Sequence, residues 1–233
     1  MTALMMHMKK SVDNNVLEIF VNNGANINMR TNKGKNLLYM ISLSREKDFC
    51  VLKTLINKYK IDINNQDNEL NTFLHKYINK SYVTFTENVL QDLINAGFNL
   101  NIQNNNGDTV LHIASKYAHK FIIFANVMDL IIEAKFDPTI RNEDGNTFLH
   151  ILCDKDVFYR VNNNSEYVLT ENVLNIFRIS TNVVNTQIIN YDNKTPIELF
   201  LKHNKLSTQR ECDIYNILLS SSNHNINNVK RAI

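Results

Sequence analysis

The chain has 233 residues, 44% of them hydrophobic, which is enough for one or two compact domains or for one repeat array. Its 25 basic and 23 acidic residues give a formal net charge of +2, which provides no general electrostatic reason to bind nucleic acid or an anionic membrane. The sequence has no uncharged apolar run of about 18 residues, so we predict no transmembrane helix, and the order of apolar and basic residues at the N-terminus does not fit a secretory signal.

Two features of the composition bear on the cellular setting. Cys50, Cys153 and Cys212 are far apart and odd in number, which favours free thiols in a reducing compartment, so we predict an intracellular, cytoplasmic location. Asparagine accounts for 39 residues. Because AT-rich codons specify Asn, Ile and Lys, we interpret the abundance of asparagine as a consequence of genome composition and not of a chemical role. It points to a virus, an intracellular bacterium or a protist.

A four-residue phrase recurs along the chain. It reads Thr-Phe-Leu-His at 72–75 and at 147–150 and Thr-Val-Leu-His at 109–112, and degenerate copies begin at residues 2, 36 and 195. The first residues of the six copies are 34, 36, 37, 38 and 48 apart. Self-similarity at a period of about 20–50 residues predicts a stack of repeated supersecondary units.

A second pattern lies between successive copies of the phrase. In five segments an apolar pair is followed, four residues after its first member, by another apolar residue, which is the spacing of a helix with one buried face. The segments are Val16-Leu17 with Phe20, Val51-Leu52 with Leu55, Val89-Leu90 with Leu93, Val127-Met128 with Ile131, and Val173-Leu174 with Phe177.

The segment that leads into each phrase has a nearly constant length. Twelve residues separate Gly24 from Asn36, Lys60 from Thr72, Gly97 from Thr109, and Lys135 from Thr147. Each unit is therefore predicted to contain two helices and a tight hairpin-like finger.

Glycine recurs where the finger turns into the next helix. Gly34, Gly107 and Gly145 occupy this position, and we predict positive φ for them. Leu70 and Asn193 replace glycine in two units, and Asn tolerates positive φ better than most residues.

With these phrases in register, the sequence resembles the ankyrin-repeat family over residues 1–220. The resemblance implies an all-α solenoid of about six helix-turn-helix units with short β-hairpin fingers, the first unit lacking its own finger. Repeats start near residues 2, 36, 72, 109, 147 and 195, an insertion at about 156–170 enlarges the fifth, and residues 221–233 form a polar C-terminal tail. It further implies that the Thr of each phrase caps the first helix and that the His ring helps to join the helix start to the adjoining finger. The structural repeat residues are Thr72, His75, Gly107, Thr109, His112, Gly145, Thr147 and His150.

The regular histidines raise the alternative of a metal site. Packed helices lie about 10 Å apart, whereas zinc requires ligand nitrogens about 2.1 Å from one ion. His75, His112 and His150 therefore cannot converge on one metal, and we predict a structural role for them. Cys153, near His150, suggests a Cys–His pair, but a small buried thiol is the favoured interpretation. We predict no cofactor, no metal and no enzymatic activity; an enzyme would require a site hidden in the insertion.

Basic residues near the ends of the first helices suggest a binding surface. The resemblance places Lys9, Lys10, Lys80, Lys116, Tyr117 and Lys155 toward a concave groove that would take an acidic partner. The alternative is that these lysines only solvate helix ends. The fingertips at Arg30 to Lys33 and at Arg141 to Asp144 are the next candidates.

The resemblance implies a protein–protein interaction module. We expect a monomer that binds a protein and neither nucleic acid, membrane nor a small-molecule substrate. Short ankyrin proteins of this kind resemble host-interaction proteins of poxviruses and other large DNA viruses, which implies host-directed binding or inhibition. Two alternatives are an inhibitor of NF-κB-type signalling and a structural fragment of a larger adaptor.

Overall fold

The structure is a computed structural model that describes residues 1–43, 49–78, 87–116, 136–154, 174, 176–178, 180–182, 184–206, 209 and 211–220. The predicted insertion at 156–170, the tail at 221–233 and the predicted helix at 127–131 lie outside these residues. The chain divides into two compact units, residues 1–105 and 106–233.

In the N-terminal unit, short helices alternate with turns. The helices are α1 (Ala3–Lys10), α2 (Asn14–Asn22), α3 (Leu37–Leu43), α4 (Phe49–Asn57), α5 (Phe73–Ile78) and α6 (Glu87–Asn95). First helices pack on first helices, with α3 between α1 and α5, while α2 packs on both α1 and α4. The predicted helix-pair repeat is confirmed, and the segments around Leu17, Leu52 and Leu90 form second helices.

The C-terminal unit repeats this plan. Its helices include α7 (Val110–Lys116), α8 (Phe148–Cys153) and α9 (Pro196–His203), and residues 211–220 are also helical. Helix α8 packs against both α7 and α9. None of the helices that the structure describes is long and apolar enough to cross a membrane.

The recurring phrase determines where the first helices begin. Helices α7 and α8 start directly after Thr109 and Thr147, as predicted. In the first repeat, the Thr2 hydroxyl accepts a hydrogen bond of 3.2 Å from the Met5 N–H. Such a cap satisfies a backbone donor that has no partner within the helix.

The leucine of the phrase supplies the core of each repeat. Its side chain is at most 2% exposed at Leu4, Leu38, Leu74, Leu111 and Leu149. Complete burial of a leucine contributes about 1.5–3 kcal/mol, so these positions stabilise the stack.

Aromatic residues from the fingers close the core over the first helices. The rings of Phe73 and Phe98 meet edge to face at 5.9 Å in the N-terminal unit, and those of Phe136 and Phe148 do so at 6.0 Å in the C-terminal unit. This geometry is favourable for aromatic pairs.

The fingers are tight turns, and within the described residues they contain no β-strand. The predicted positive φ is observed at Gly34, Gly107, Gly145 and Asn193. Leu70 also adopts positive φ, at 56°, although the left-handed region costs a non-glycine residue about 1–2 kcal/mol. Gly107 has a second constraint, because a Cβ there would lie 2.8 Å from the backbone of Asn142 in the next finger.

Candidate functional site

The Thr and His of the phrase form a buried pair at the helix start. The Thr hydroxyl oxygen lies 2.8 Å from His Nδ1, and the Thr backbone N–H donates to the same nitrogen at 3.2 Å. This geometry recurs in Thr72–His75, Thr109–His112 and Thr147–His150. Since a backbone N–H can only donate, Nδ1 is the acceptor and the ring is the neutral tautomer with its proton on Nε2.

The other ring nitrogen reaches the next finger. His112 Nε2 donates to the carbonyl of Asn146 at 3.0 Å, and His150 Nε2 donates to the carbonyls of Ile188 and Lys194 at 3.0 and 3.2 Å. His112 and His150 thus each join a helix start to the finger of the following repeat.

Burial favours the neutral form of His112 and His150. It lowers the pKa of His150 to about 4, although the carbonyls of Ile188 and Lys194 act in the opposite direction. The pKa of His112 is lowered for the same main reason. Among the described residues, no group of three or more His, Cys, Asp and Glu side chains could hold a metal ion.

The second repeat uses asparagine where the phrase has Thr. Asn36 is 4% exposed, and its Oδ1 accepts from the Tyr39 N–H at 3.1 Å, which caps α3. Its Nδ2 donates to the Asp62 carbonyl in the next finger at 2.9 Å. One amide therefore performs both tasks that the Thr–His pair shares elsewhere.

Each of four fingers is closed by one side-chain oxygen that accepts two backbone N–H groups. In the finger between the fourth and fifth repeats, Asn142 Oδ1 accepts hydrogen bonds from the backbone N–H groups of Asp144 at 3.1 Å and Asn146 at 3.0 Å. The equivalent acceptors in the other three fingers are Thr31, Asp67 and Asn190. Asn, Asp and Thr suit this turn because their short side chains reach the backbone two residues on.

Side-chain amides also join one finger to the next. Within the C-terminal unit, Asn142 Nδ2 donates to Asp108 Oδ1 at 3.0 Å and Asn190 Nδ2 donates to Asn146 Oδ1 at 2.8 Å. In the N-terminal unit, Asn104 Nδ2 donates to Asn71 Oδ1 at 3.1 Å. The interpretation of asparagine as genome composition alone missed this role, because the bonds become visible only when neighbouring fingers are placed side by side.

A pocket lies on the N-terminal unit between the end of α1, the first finger and α3. Its volume is about 340 Å³, and its lining combines apolar and cationic side chains: Met1, Met40, Leu43, Lys9, Lys33 and Lys35. The Lys35 ammonium lies 4.3 Å from the centre of the Tyr39 ring. The pocket brings Lys9 together with Lys33, which the sequence analysis treated as separate candidates, and adds Lys35, Met40 and Leu43.

Residues 55–114 match the family model described as ankyrin repeats in many copies. The structure is also similar to that of an ankyrin repeat domain from Acinetobacter baumannii AYE, with a TM-score of 0.69 and 18% identity over 94% of this chain and 96% of that chain. Residues 55–114 thus match ankyrin repeats in sequence, and the chain shares the ankyrin-repeat fold.

A second solved structure resembles this chain. It is that of a predatory endopeptidase from Bdellovibrio bacteriovorus in complex with an immunity protein, with a TM-score of 0.63 and 16% identity over 94% of this chain and 98% of the matched chain. No curated protein matches the sequence.

The remaining candidate binding residues fall into three groups. Lys80, Tyr117 and Lys155 lie outside the described residues. Two cations are paired: Lys116 with the buried Asp108 carboxylate, and Arg30 with Asp62 at 3.1 Å. The exposed candidates are Lys9, Lys10, Lys33, Arg141 and Asp144. Recognition by any of them stays a prediction.

Cys153 lies in the core of the C-terminal unit. Its side chain is fully buried, and burial raises the pKa of the thiol well above its ordinary value. Because the thiolate is the nucleophilic form, Cys153 is poorly suited to react. The geometry fits the small buried thiol favoured from the sequence.

Proposed function

We propose that this ankyrin-repeat protein is a non-catalytic protein-interaction module that binds its partner through the fingers and the neighbouring ends of the first helices. The observation that carries the proposal is that the inner and outer side chains of the fingers have different roles. Their inner side chains hold the turns and join adjacent repeats, while their tips present exposed side chains on this bonded frame.

The exposed tips include large apolar side chains. Met29 and Leu70 are each 45% exposed in the N-terminal unit, and Ile189 and Tyr191 are 46% and 69% exposed in the C-terminal unit. Tyrosine is enriched among the residues that dominate binding energy at protein interfaces. Apolar tips among charged neighbours such as Lys33 and Asp144 are therefore suited to a protein surface.

The comparisons support protein binding at the level of the fold. One matched chain belongs to a complex of an endopeptidase with an immunity protein. Since a shared fold does not fix a function, the proposal for this chain rests on its own exposed side chains.

We further propose a host-directed, inhibitory role inside the cell. The 39 asparagines support an origin in an AT-rich genome such as that of a virus or intracellular pathogen, alongside their structural tasks. The identity of the partner separates this role from inhibition of NF-κB-type signalling and from a structural role in a larger adaptor.

Site-specific photocrosslinking tests the proposed surface. A benzophenone amino acid replaces Asn32 or Asp192 at the fingertips, or Asn22 or Asn216 on the second helices as matched controls; all four positions are exposed. The four proteins are irradiated in host cell lysate, and the crosslinked proteins are identified and then tested as purified binders.

The expected result is one partner crosslinked from a fingertip and not from Asn22 or Asn216. Crosslinking only from the second helices would show that the wrong surface has been chosen. If no purified protein bound at all, the proposed function itself would be wrong.

A further inference from the structure

We propose that the pocket between α1, the first finger and α3 binds an acidic segment of the partner protein that carries one aliphatic side chain between its carboxylates. This inference rests on the proposed function and names the chemistry of the partner segment. It follows from the charge, the apolar lining and the size of the pocket.

The charge of the pocket is positive, and no carboxylate among the described residues neutralises it. Lys9 and Lys33 are exposed, Lys35 is half-buried, and none of the three ammonium groups forms an ion pair with a carboxylate that the structure describes. Other cations of the same unit have such partners: Arg30 pairs with Asp62, and Lys58 pairs with Glu18 at 2.7 Å. Three cations around one cavity, without an ion-pair partner in the part of the chain that the structure describes, favour an anionic ligand.

Part of the pocket lining is apolar. Met1, Met40 and Leu43 line it, and two of these are methionines, whose flexible side chains adapt to irregular apolar groups. A purely ionic ligand such as a phosphate would leave this surface uncovered. A peptide with an aliphatic side chain would cover it while its carboxylates face the lysines.

The size of the pocket agrees with a single side chain and its flanks. Its volume of about 340 Å³ is at the lower end of the range of about 300–1,000 Å³ for ligand sites. The polar groups of Thr31 and Asn32 also line it and could bond the backbone of an extended segment.

A synthetic peptide tests the proposal on the whole chain. The probe is fluorescein-labelled Glu-Asp-Glu-Leu-Glu-Asp-Glu, and two control peptides replace its Leu by Gly or all its acids by Lys. Fluorescence anisotropy is measured at 50 mM and at 300 mM salt. We expect the acidic Leu peptide to bind, the Gly peptide to bind about fivefold more weakly, since a buried aliphatic side chain contributes about this factor or more, and the Lys peptide not to bind.

The variants Lys9→Glu and Lys10→Glu form a matched pair, since both residues are exposed at the end of α1 and only Lys9 lines the pocket. We expect Lys9→Glu combined with Lys33→Glu to weaken binding about tenfold at 50 mM salt and to remove most of the salt dependence, because exposed ion pairs are individually weak and screened. Lys10→Glu should change the affinity less than twofold. Circular dichroism confirms that each variant is folded.

Equal affinity of the Lys10→Glu protein and the protein that combines Lys9→Glu with Lys33→Glu, or equal binding of the Leu and Gly peptides, would overturn the proposal. So would the absence of peptide binding. These failures leave the proposed function intact if the photocrosslinked partner still binds through other fingertips.

Discussion

Asn142 and Lys33 both belong to fingers, and their side chains have opposite surroundings. Asn142 is 6% exposed, and its amide group makes three hydrogen bonds, two within its own finger and one to the preceding repeat. Lys33 is exposed, and no carboxylate that the structure describes pairs with it. The inner edge of a finger builds the repeat frame, and its tip remains available to a partner.

This difference predicts whether a mutation should change stability or binding. A buried polar group that loses its partner costs about 1–3 kcal/mol, whereas exposed substitutions usually stay within about 0.5 kcal/mol. Frame residues should therefore affect stability, and tip or groove residues should affect binding.

The largest expected effect is at His150. Replacing it by Ala leaves the Thr147 N–H and the carbonyls of Ile188 and Lys194 without their partner, and it creates a cavity. We expect the free energy of unfolding to fall by about 3 kcal/mol, as measured by urea denaturation. His203→Ala is the control, because His203 is only half-buried and should cost less than about 1 kcal/mol. Equal losses would contradict a frame role for His150.

Acid should lower the stability of the folded chain through protonation of His150. The pKa of His150 is about 4 in the folded chain and 6.5 in the unfolded chain, so the unfolded state binds the additional proton first. Stability should therefore be fully present above pH 6.5 and should fall as the pH drops toward 4, by up to about 3 kcal/mol. Thermal melts across this window should show a smaller slope for the His150→Ala protein. An unchanged slope in that variant would mean that other groups cause the acid sensitivity.

A smaller effect is expected at Asp108. Its carboxylate accepts from Asn142 and pairs with Lys116, which is 30% exposed. Asp108→Asn keeps an acceptor for Asn142 and lets Lys116 turn to water, so we expect a loss of about 1 kcal/mol. Asn146→Asp is the inverse control. In the repeat that follows Asn146, the position equivalent to Lys116 is Asp154, so a carboxylate at residue 146 would have an acid there instead of a lysine. Asn146→Asp should therefore be less stable than Asp108→Asn. The reverse order in chemical denaturation would refute the assignment of these positions.

The smallest effect should be a gain in stability. Leu70 has φ of 56° and is 45% exposed, so Leu70→Gly relieves backbone strain and sacrifices little packing. After the greater entropy of an unfolded glycine is subtracted, we expect a gain of about 0.5–1 kcal/mol. Asn193→Gly should gain less, because Asn tolerates this region. A lower melting temperature for Leu70→Gly would show that its side chain makes a needed contact.

Much of the fold was predictable from local spacing. The Thr–His phrases located the starts of α7 and α8, the twelve-residue interval located the fingers, and glycine indicated the positive φ at Gly34 and Gly145. These features depend on residues close together in sequence, and their recurrence from repeat to repeat made them recognisable.

The features that were missed depend on contacts between repeats. Asn142 bonds Asp108, 34 residues away, and the sequence gives no local signal for that partner. Likewise, Lys35 and Met40 join Lys9 only after α1, the first finger and α3 are packed. At Leu70 the position in the finger imposes a positive φ that leucine disfavours. Only the alignment of Leu70 with Gly34 and Gly107 could have indicated this strain.

The separation of frame from recognition is tested most directly by measuring stability and peptide affinity on two variants of the N-terminal unit. One is His75→Ala, in which a side chain that is 2% exposed is lost from the frame, and the other is Lys9→Glu with Lys33→Glu. We predict that His75→Ala lowers the free energy of unfolding by about 2–3 kcal/mol while its folded form binds the acidic Leu peptide as the unaltered chain does. The double lysine variant should keep its stability within about 1 kcal/mol and lose about tenfold in affinity. If His75→Ala weakened binding as much as the lysine variant while still folded, or if the lysine variant unfolded, frame and recognition would not be separate, and the account would be contradicted.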